Sequence, residues 1–288
     1  MAGLALTMAH GLGAGRKPEA IFVAIADQHS AYERTAQFVA RVDRVKAENP
    51  GVPVAVLIDG DVFEGGSVVA ARSGGAIDFA MLRALALRGP TVLNLGNHEA
   101  EFFDLAATVA RAREAGVVVV GGNAVDRTTG KALAAASTRL KLGSKEVVVA
   151  GVMTDQLATY RAAVRPALGI EDPVAWAERN LAARLATAPV RIVLSHAGLR
   201  ADRAMLGVVP DGTLFVGAHD HLRFVHRIGR TVYFHSGSWN GHATIARLER
   251  DAGGRPKWDV EQVEIEASDP AEPELAKVIA TTRAKFLT

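Results

Sequence analysis

The 288-residue chain is predicted to fold as an α/β domain, on three observations. Short apolar runs rich in β-branched residues recur at 21–26, 54–58, 91–95, 191–194 and 213–216, and each stops at glycine or polar residues. Amphipathic stretches separate the early runs, which makes βαβ units whose strands are parallel neighbours. Between 124 and 151 the helical pattern gives way to β-prone runs parted by turns at Thr129-Gly130 and Gly143-Ser144, so a second, more antiparallel half-sheet is expected.

Composition narrows the function classes. With 49% hydrophobic residues the chain can build a continuous core, and no low-complexity linker divides it. The net charge is +2 and the basic residues are dispersed, so specific nucleic-acid binding is not expected. Absence of cysteine excludes disulfides, zinc–thiolate sites and thiol nucleophiles. No run approaches the ~20 apolar residues of a membrane span. Residues 1–19 are expected to be a disordered N-terminus or a signal remnant, since the apolar run 4–9 has no Lys or Arg before it.

The first strand, 21–26, ends at Asp27-Gln28-His29. In an extended exit, residues i and i+2 point the same way, so Asp27 and His29 can face one metal. A helix is predicted over 31–49 with Phe38, Val42 and Val45 on one stripe, stopped by Pro50-Gly51. The second strand, 54–58, ends at Asp59-Gly60-Asp61 and brings Asp61 towards the first tip. Phe63-Glu64-Gly65-Gly66-Ser67 lacks the lysine of a phosphate-binding loop and reads as a turn. One helix is then expected to run to about Arg88, with Ile77, Met81, Leu82 and Leu85 facing the core.

The third strand, 91–95, delivers Asn97 and His98 just past its carboxyl end, where an open α/β sheet places ligands. An Asn oxygen can ligate a cation, while an imidazole can give a proton to a leaving group. A helix over 101–115, a strand over 117–120 and a helix over 174–188, with Pro173 in its first turn, follow. The strand 191–194 exits at Ser195-His196, and the strand 213–216 exits at Gly217-Ala218-His219-Asp220-His221. Runs at 223–228, 231–235 and 243–248 alternate as a β-meander, 258–265 adds a strand, and a last helix spans 271–286. The expected domain is 20–266, followed by a C-terminal helical segment over 267–288.

These tips belong together because every one carries an oxygen or nitrogen donor. Asp27, His29, Asp61, Asn97, His196, His219 and His221 supply more donors than one metal needs, and they fit two divalent ions sharing a carboxylate. Asp61, alone at the central tip, is the natural bridge between ions ~3.5–4 Å apart. Without thiolates, Mn, Fe or Zn suit the site. His10, His226, His235 and His242 read as ordinary surface or strand histidines, and Arg72, Arg200 and Arg223 as solvated arginines. Trp239 reads as a strand-core residue in preference to an exposed stacking face.

In this order, Asp27-x-His29, Gly60-Asp61, Gly96-Asn97-His98-Glu99, Ser195-His196 and Gly217-Ala218-His219-Asp220-His221 resemble the motifs of calcineurin-like metallophosphoesterases. Asp59-Gly60-Asp61-Val62-Phe63-Glu64-Gly65-Gly66-Ser67 and Gly237-Ser238-Trp239 look most like the catalytic domain of 5'-nucleotidases. The resemblance spans about residues 20–250. It implies a single-domain, two-sheet β-sandwich flanked by helices. It also implies that Asp27, His29, Asp61 and His221 bind one metal, that Asp61, Asn97, His196 and His219 bind the other, and that His98 is the catalytic histidine.

The resemblance has two departures. The nucleotidases pair that histidine with an Asp three residues on, where this chain has Glu101, one methylene longer. Their C-terminal domain, which stacks the nucleobase, has no counterpart in these residues, so nucleotide selectivity is not carried over. The implied activity is two-metal hydrolysis of a small phosphate ester, a nucleotide being one candidate. It would be a phosphomonoesterase with a hydroxide held between the ions as nucleophile. A phosphodiesterase on the same core and an inactive metal-binding scaffold are the alternatives. Exported relatives favour a periplasmic or secreted setting over the cytoplasm. The oligomeric state is not legible.

Overall fold

The computed structural model describes residues 17–287, so most of the expected N-terminal segment lies outside the described residues. The chain runs β1 (Ala20–Ala26), α1 (Thr35–Glu48), β2 (Val54–Asp59), α2 (Val68–Ser73), α3 (Ala76–Ala86), β3 (Thr91–Asn94), α4 (Leu105–Glu114) and β4 (Val118–Val120). It continues through β5 (Ala124–Asp126), β6 (Ser137–Leu142), β7 (Lys145–Met153), β8 (Leu168–Ile170), α5 (Pro173–Ala186), β9 (Val190–His196), α6 (Leu199–Met205) and β10 (Leu214–Gly217). β11 (Arg223–Ile228), β12 (Thr231–Ser236), β13 (His242–Arg250), β14 (Pro256–Glu264) and α7 (Pro273–Phe286) complete it.

Two six-stranded sheets form the sandwich, ordered β14-β13-β1-β2-β3-β4 and β11-β12-β10-β9-β7-β6. β1 to β4 pair in parallel, as the βαβ pattern predicts. The second sheet departs from the antiparallel expectation. Its central strands β7, β9, β10 and β12 are parallel, and antiparallel hairpins occur only at its edges, β6 on β7 and β11 on β12. The meander expected for 223–248 is also split between sheets. β13 leaves the hairpin, crosses over, and pairs antiparallel with β1. The crossover is made at Gly237, Trp239 and Asn240, all with positive φ (81°, 54° and 53°), which turns the chain out of one sheet and into the other.

Continuous apolar strands arise because both faces of each sheet are covered. Phe22, Ala24 and Leu57 point between the sheets against Ile192, Leu194 and Phe234. Their neighbours Val23, Ile25, Val56 and Ile58 point outward onto Phe38, Val42, Leu82 and Leu85 of the helices. On the far side, Val148, Val193 and Phe215 meet Trp176 and Leu181 of α5. The order of layers is helix, sheet, sheet, helix. α7 packs onto the first helical layer through buried Leu275 and Ile279. Among the described residues no helix is long and apolar enough to cross a membrane.

Local chemistry shortens two predicted helices. The stretch expected to run unbroken to Arg88 is cut by Gly74-Gly75, both left-handed at φ 62° and 71°. The helix expected from residue 101 starts at Leu105, where the Asp104 carboxylate accepts the Ala107 N–H at 2.7 Å and caps it.

A buried pair beside α3 gives a stability prediction. The Tyr32 hydroxyl donates to Asp78 Oδ2 at 2.7 Å. Burial pushes the Asp78 carboxyl up to about 7, against the hydrogen bonds from Tyr32 and Ser30. Between the ordinary carboxylate range and pH 7 the folded state therefore holds a proton that the unfolded chain has lost, and stability falls as pH rises through that window. Asp78→Asn, which cannot ionise and keeps an acceptor for Tyr32, is expected to be more stable than the wild type at pH 8 by on the order of 2 kcal/mol. The difference should vanish near pH 4, as read by denaturant unfolding at both pH values.

Candidate metal centre

The strand exits are held in unusual backbone geometry. Eight non-glycine described residues have positive φ: Asp27, His29, Ser30, Asp61, His219, His221, Trp239 and Asn240, between 48° and 79°. All belong to the exits or the crossover beside them. Such conformations cost of order 1 kcal/mol each and persist only where surroundings enforce them. Several enforcing contacts are visible. The Asp27 carboxylate accepts the His219 N–H at 3.0 and 3.2 Å, and its carbonyl accepts the Trp239 N–H at 2.8 Å. Glu99, fully buried, accepts backbone N–H groups of Gly96 (2.6 Å), Val62 (2.9 Å) and Asp61 (3.1 Å). A side chain at Gly96 would strike Asp61, so this tip needs glycine.

Asp59, the last residue of β2, joins the two sheets. Its carboxylate accepts from Asn94 Nδ2 at 2.8 Å and from the Ser195 N–H at 3.0 Å. Its carbonyl meets His196 Nδ1 at 2.8 Å. A carbonyl can only accept, so Nδ1 carries a proton, and Nε2 is the atom left to face a metal.

His196 Nε2 faces the other donors. His196 Nε2 lies 3.1 Å from Asp61 Oδ2 and 3.8 Å from Asp27 Oδ1. His29 Nε2 lies 3.8 Å from Asp61 Oδ2 and 2.9 Å from His221 Nε2, which is itself 4.0 Å from Asp27 Oδ1. Ligand atoms cluster within 4.8 Å in three groups: Asp27, His29 and His221; Asp61, His196 and His219; and His29, Asp61 and His98. Asp61 belongs to two of them. At the rim, His98 Nδ1 lies 3.0 Å from Glu101 Oε1 and 3.7 Å from Glu64 Oε2.

Electrostatics favour neutral His29 and His219 and a charged Asp61, while, against the effect of its burial, the carboxylates of Asp61, Asp27 and Asp59 raise His196 well above its ordinary value. Burial, with the neighbouring His98 and His221, lowers His29 to about 4, and burial with His196 lowers His219 to about 4. Burial opposes ionisation of Asp61, yet His196, His98 and His29 around it hold its pKa below the ordinary value. Burial and nearby Asp61 push Asp27 up to about 7. Packed carboxylates of this kind repel one another until positive charge, from a bound cation or from a protonated His196, sits among them.

The donor set fits divalent metal ions on a further observation. Asn97 Oδ1 is buried without a hydrogen-bond partner. Buried polar atoms left orphaned are rare, and an ion is one way to satisfy them. Nitrogen and carboxylate oxygen without sulfur suit Mn, Fe or Zn.

The sequence model of calcineurin-like phosphoesterases matches residues 21–223. The chain belongs to that family. Its fold is similar to that of a 5'-nucleotidase precursor from Thermus thermophilus, at TM-score 0.75 and 21% identity, covering 93% of this chain and 59% of the other. It is also similar to a sulfate thiohydrolase from Thermus thermophilus (0.76, 15%, 94% and 61%) and an NAD nucleotidase from Haemophilus influenzae (0.71, 13%, 93% and 60%). This calcineurin-like phosphoesterase therefore spans about three-fifths of the length of those structures. No curated protein sequence matches it.

Within this phosphoesterase the residues singled out from the strand exits lie at one mouth, Asp27, His29, Asp61, His196, His219 and His221 in the clusters above and Asn97 beside β3. Glu99 and Glu64 carried no role in the sequence reading, although both sit inside the quoted tips. Trp239 corrects the strand-core expectation: it is 51% exposed, because the crossover turns its side chain outward beside His221, ring centroids 5.0 Å apart. Arg223 is exposed but donates to His242 Nε2 at 2.5 Å, and Arg72 donates to the Phe286 carbonyl at 3.0 Å, so neither is simply solvated. His235, read as an ordinary strand histidine, is buried in a network with Asp202 and Tyr233.

Proposed function

We propose that this chain is a phosphomonoesterase of 5'-nucleotidase type that works with two divalent ions. Asp27, His29, Asp61 and His221 would hold one ion, and Asp61, Asn97, His196 and His219 the other. The observation that carries the reading is the convergence of Asp27, His29, His196, His219 and His221 around Asp61, with the Asn97 side-chain oxygen buried and without a hydrogen-bond partner. When bound, such ions neutralise phosphoryl oxygens and lower the pKa of water.

The protein's own groups do the rest. Glu99 holds the Asp61 and Gly96 backbones, and Asp59 fixes the His196 tautomer. His98 stands at the rim with one ring nitrogen on Glu101. Its other nitrogen is free to hydrogen-bond a phosphoryl oxygen and to protonate the departing alkoxide. Glu101 takes the orienting part that an Asp takes in the nucleotidases.

The test is turnover of metal-stripped protein re-supplied with Mn²⁺ on matched phosphomonoester and phosphodiester probes, with AMP in the panel. Faster hydrolysis of monoesters, AMP included, and silence without metal are expected. Preference for the diester would overturn the monoester assignment, and no turnover with two ions bound per chain would overturn the hydrolase itself.

A further inference from the structure

A cleft of about 410 Å³ opens beside the metal centre and shares His221 with it. Its floor is the crossover loop, which is built rigidly. Gly237 N–H donates to the Leu222 carbonyl at 2.8 Å and Trp239 N–H to the Asp27 carbonyl at 2.8 Å. Asn240 is buried and donates to Thr35 Oγ1 at 3.0 Å and the Ala31 carbonyl at 3.2 Å. The loop backbone and Asn240 are tied inward, and the Trp239 side chain is the large group left outside. A strained backbone, φ 54°, thus presents the largest side chain to water, next to a residue of the donor cluster. Burial cannot explain it, because an exposed indole forgoes the gain that an apolar side chain normally takes from packing.

The rim of the cleft is polar and electrically balanced. Arg34 and Arg223 face it from one sign, Glu264 and Glu266 from the other. No carboxylate lies within ion-pair distance of Arg34 or Arg223 among the described residues, and Arg223 spends one N–H on the neutral ring of His242. Balanced donors and acceptors around an aromatic platform suit a ring that both donates and accepts hydrogen bonds, whereas a simple anion would call for an excess of cations.

We infer that this cleft binds the leaving group of the substrate, and that the group it selects is a planar, hydrogen-bonding heterocycle stacked on Trp239. The inference rests on the phosphomonoesterase reading for the placement of the phosphate, and it assigns ring recognition to the catalytic domain itself. Trp239 is a specificity residue here, and Arg34, Arg223 and Glu264 read the ring's edge.

Two measurements on the metal-loaded protein test it. Trp176 and Trp258 are buried, at 5% and 1% exposure, so changes in tryptophan emission on adding a small ligand report chiefly on Trp239. Adenosine is expected to quench or shift that emission, ribose is not, and Trp239→Phe should abolish the response. The second measurement compares kcat/KM on AMP and on ribose 5-phosphate, which differ by the ring alone. Trp239→Ala should lower the AMP to ribose 5-phosphate ratio roughly tenfold to a hundredfold, mostly through KM, with Trp239→Phe retaining much of it.

Silence to adenosine, a response to ribose of equal size, or a ratio unmoved by Trp239→Ala would each overturn the ring site. An adenosine response in a protein that hydrolyses neither ester would instead overturn the phosphomonoesterase reading and leave the ring site standing.

Discussion

On the proposed two-ion reading, Asp61→Asn is expected to lower turnover by on the order of 10³ or more and to cut bound metal from two ions per chain to one or none. One carboxylate oxygen, Oδ1, accepts the His98 N–H at 2.8 Å. The other, Oδ2, stands 3.1 Å from His196 Nε2 and 3.8 Å from His29 Nε2. A single anionic oxygen therefore serves both halves of the cluster. Asparagine keeps the volume and an acceptor for His98, but it removes the charge and turns an NH₂ group towards two ring nitrogens. The backbone at this position is held by Glu99 irrespective of the side chain, so the fold should survive. Elemental analysis beside circular dichroism checks both statements. An Asn variant that retains two ions and full turnover would remove Asp61 from the centre of the site.

The tips that carry the candidate metal donors were readable because the strands are buried on both faces. Such strands are apolar through most of their length, so the first polar residue after the run marks its end; Ala26 to Asp27 is an example, while β9 carries Ser195 and His196 as its own last two residues. The tips with i, i+2 donors, Asp27 with His29 and His219 with His221, add a direction to that position. What could not be read depends on contacts between segments distant in sequence. Glu99 is a polar residue after a histidine until the Asp61 and Val62 N–H groups, 38 and 37 residues away, are seen to point at it. β13 alternates like the strands before it, and only its register with β1 places it in the other sheet. Trp239 is apolar by composition, and a helix or strand pattern cannot announce that a left-handed backbone will turn it outward. The break at Gly74-Gly75 is different: the expectation of one helix to Arg88 passes over it, although paired glycines inside an amphipathic stretch are poor helix formers.

His98→Ala is expected to lower kcat by ~10²–10⁴ with metal content unchanged, since the seven residues proposed to hold the ions do not include it. The state of the ring decides how that loss depends on pH. Burial opposes a charged His98, but the Glu101 hydrogen bond, with Asp61, Glu101 and Glu64 around it, raises its pKa to about 9. An imidazolium is thus available to protonate an alkoxide through neutral pH, and activity should fall as pH rises through that value. Glu101→Gln removes the nearest negative charge, so the falling limb should move down towards the ordinary histidine range near ~6.5. The variant would then match the wild type well below pH 6 and differ most at pH 8, whereas a loss of mere scaffolding would lower the rate equally at every pH. Glu101→Asp, which restores the carboxylate at the same three-residue spacing, should return the limb most of the way. A pH profile of kcat for the three proteins separates these outcomes, and an unmoved limb in Glu101→Gln would mean that Glu101 neither orients nor charges His98.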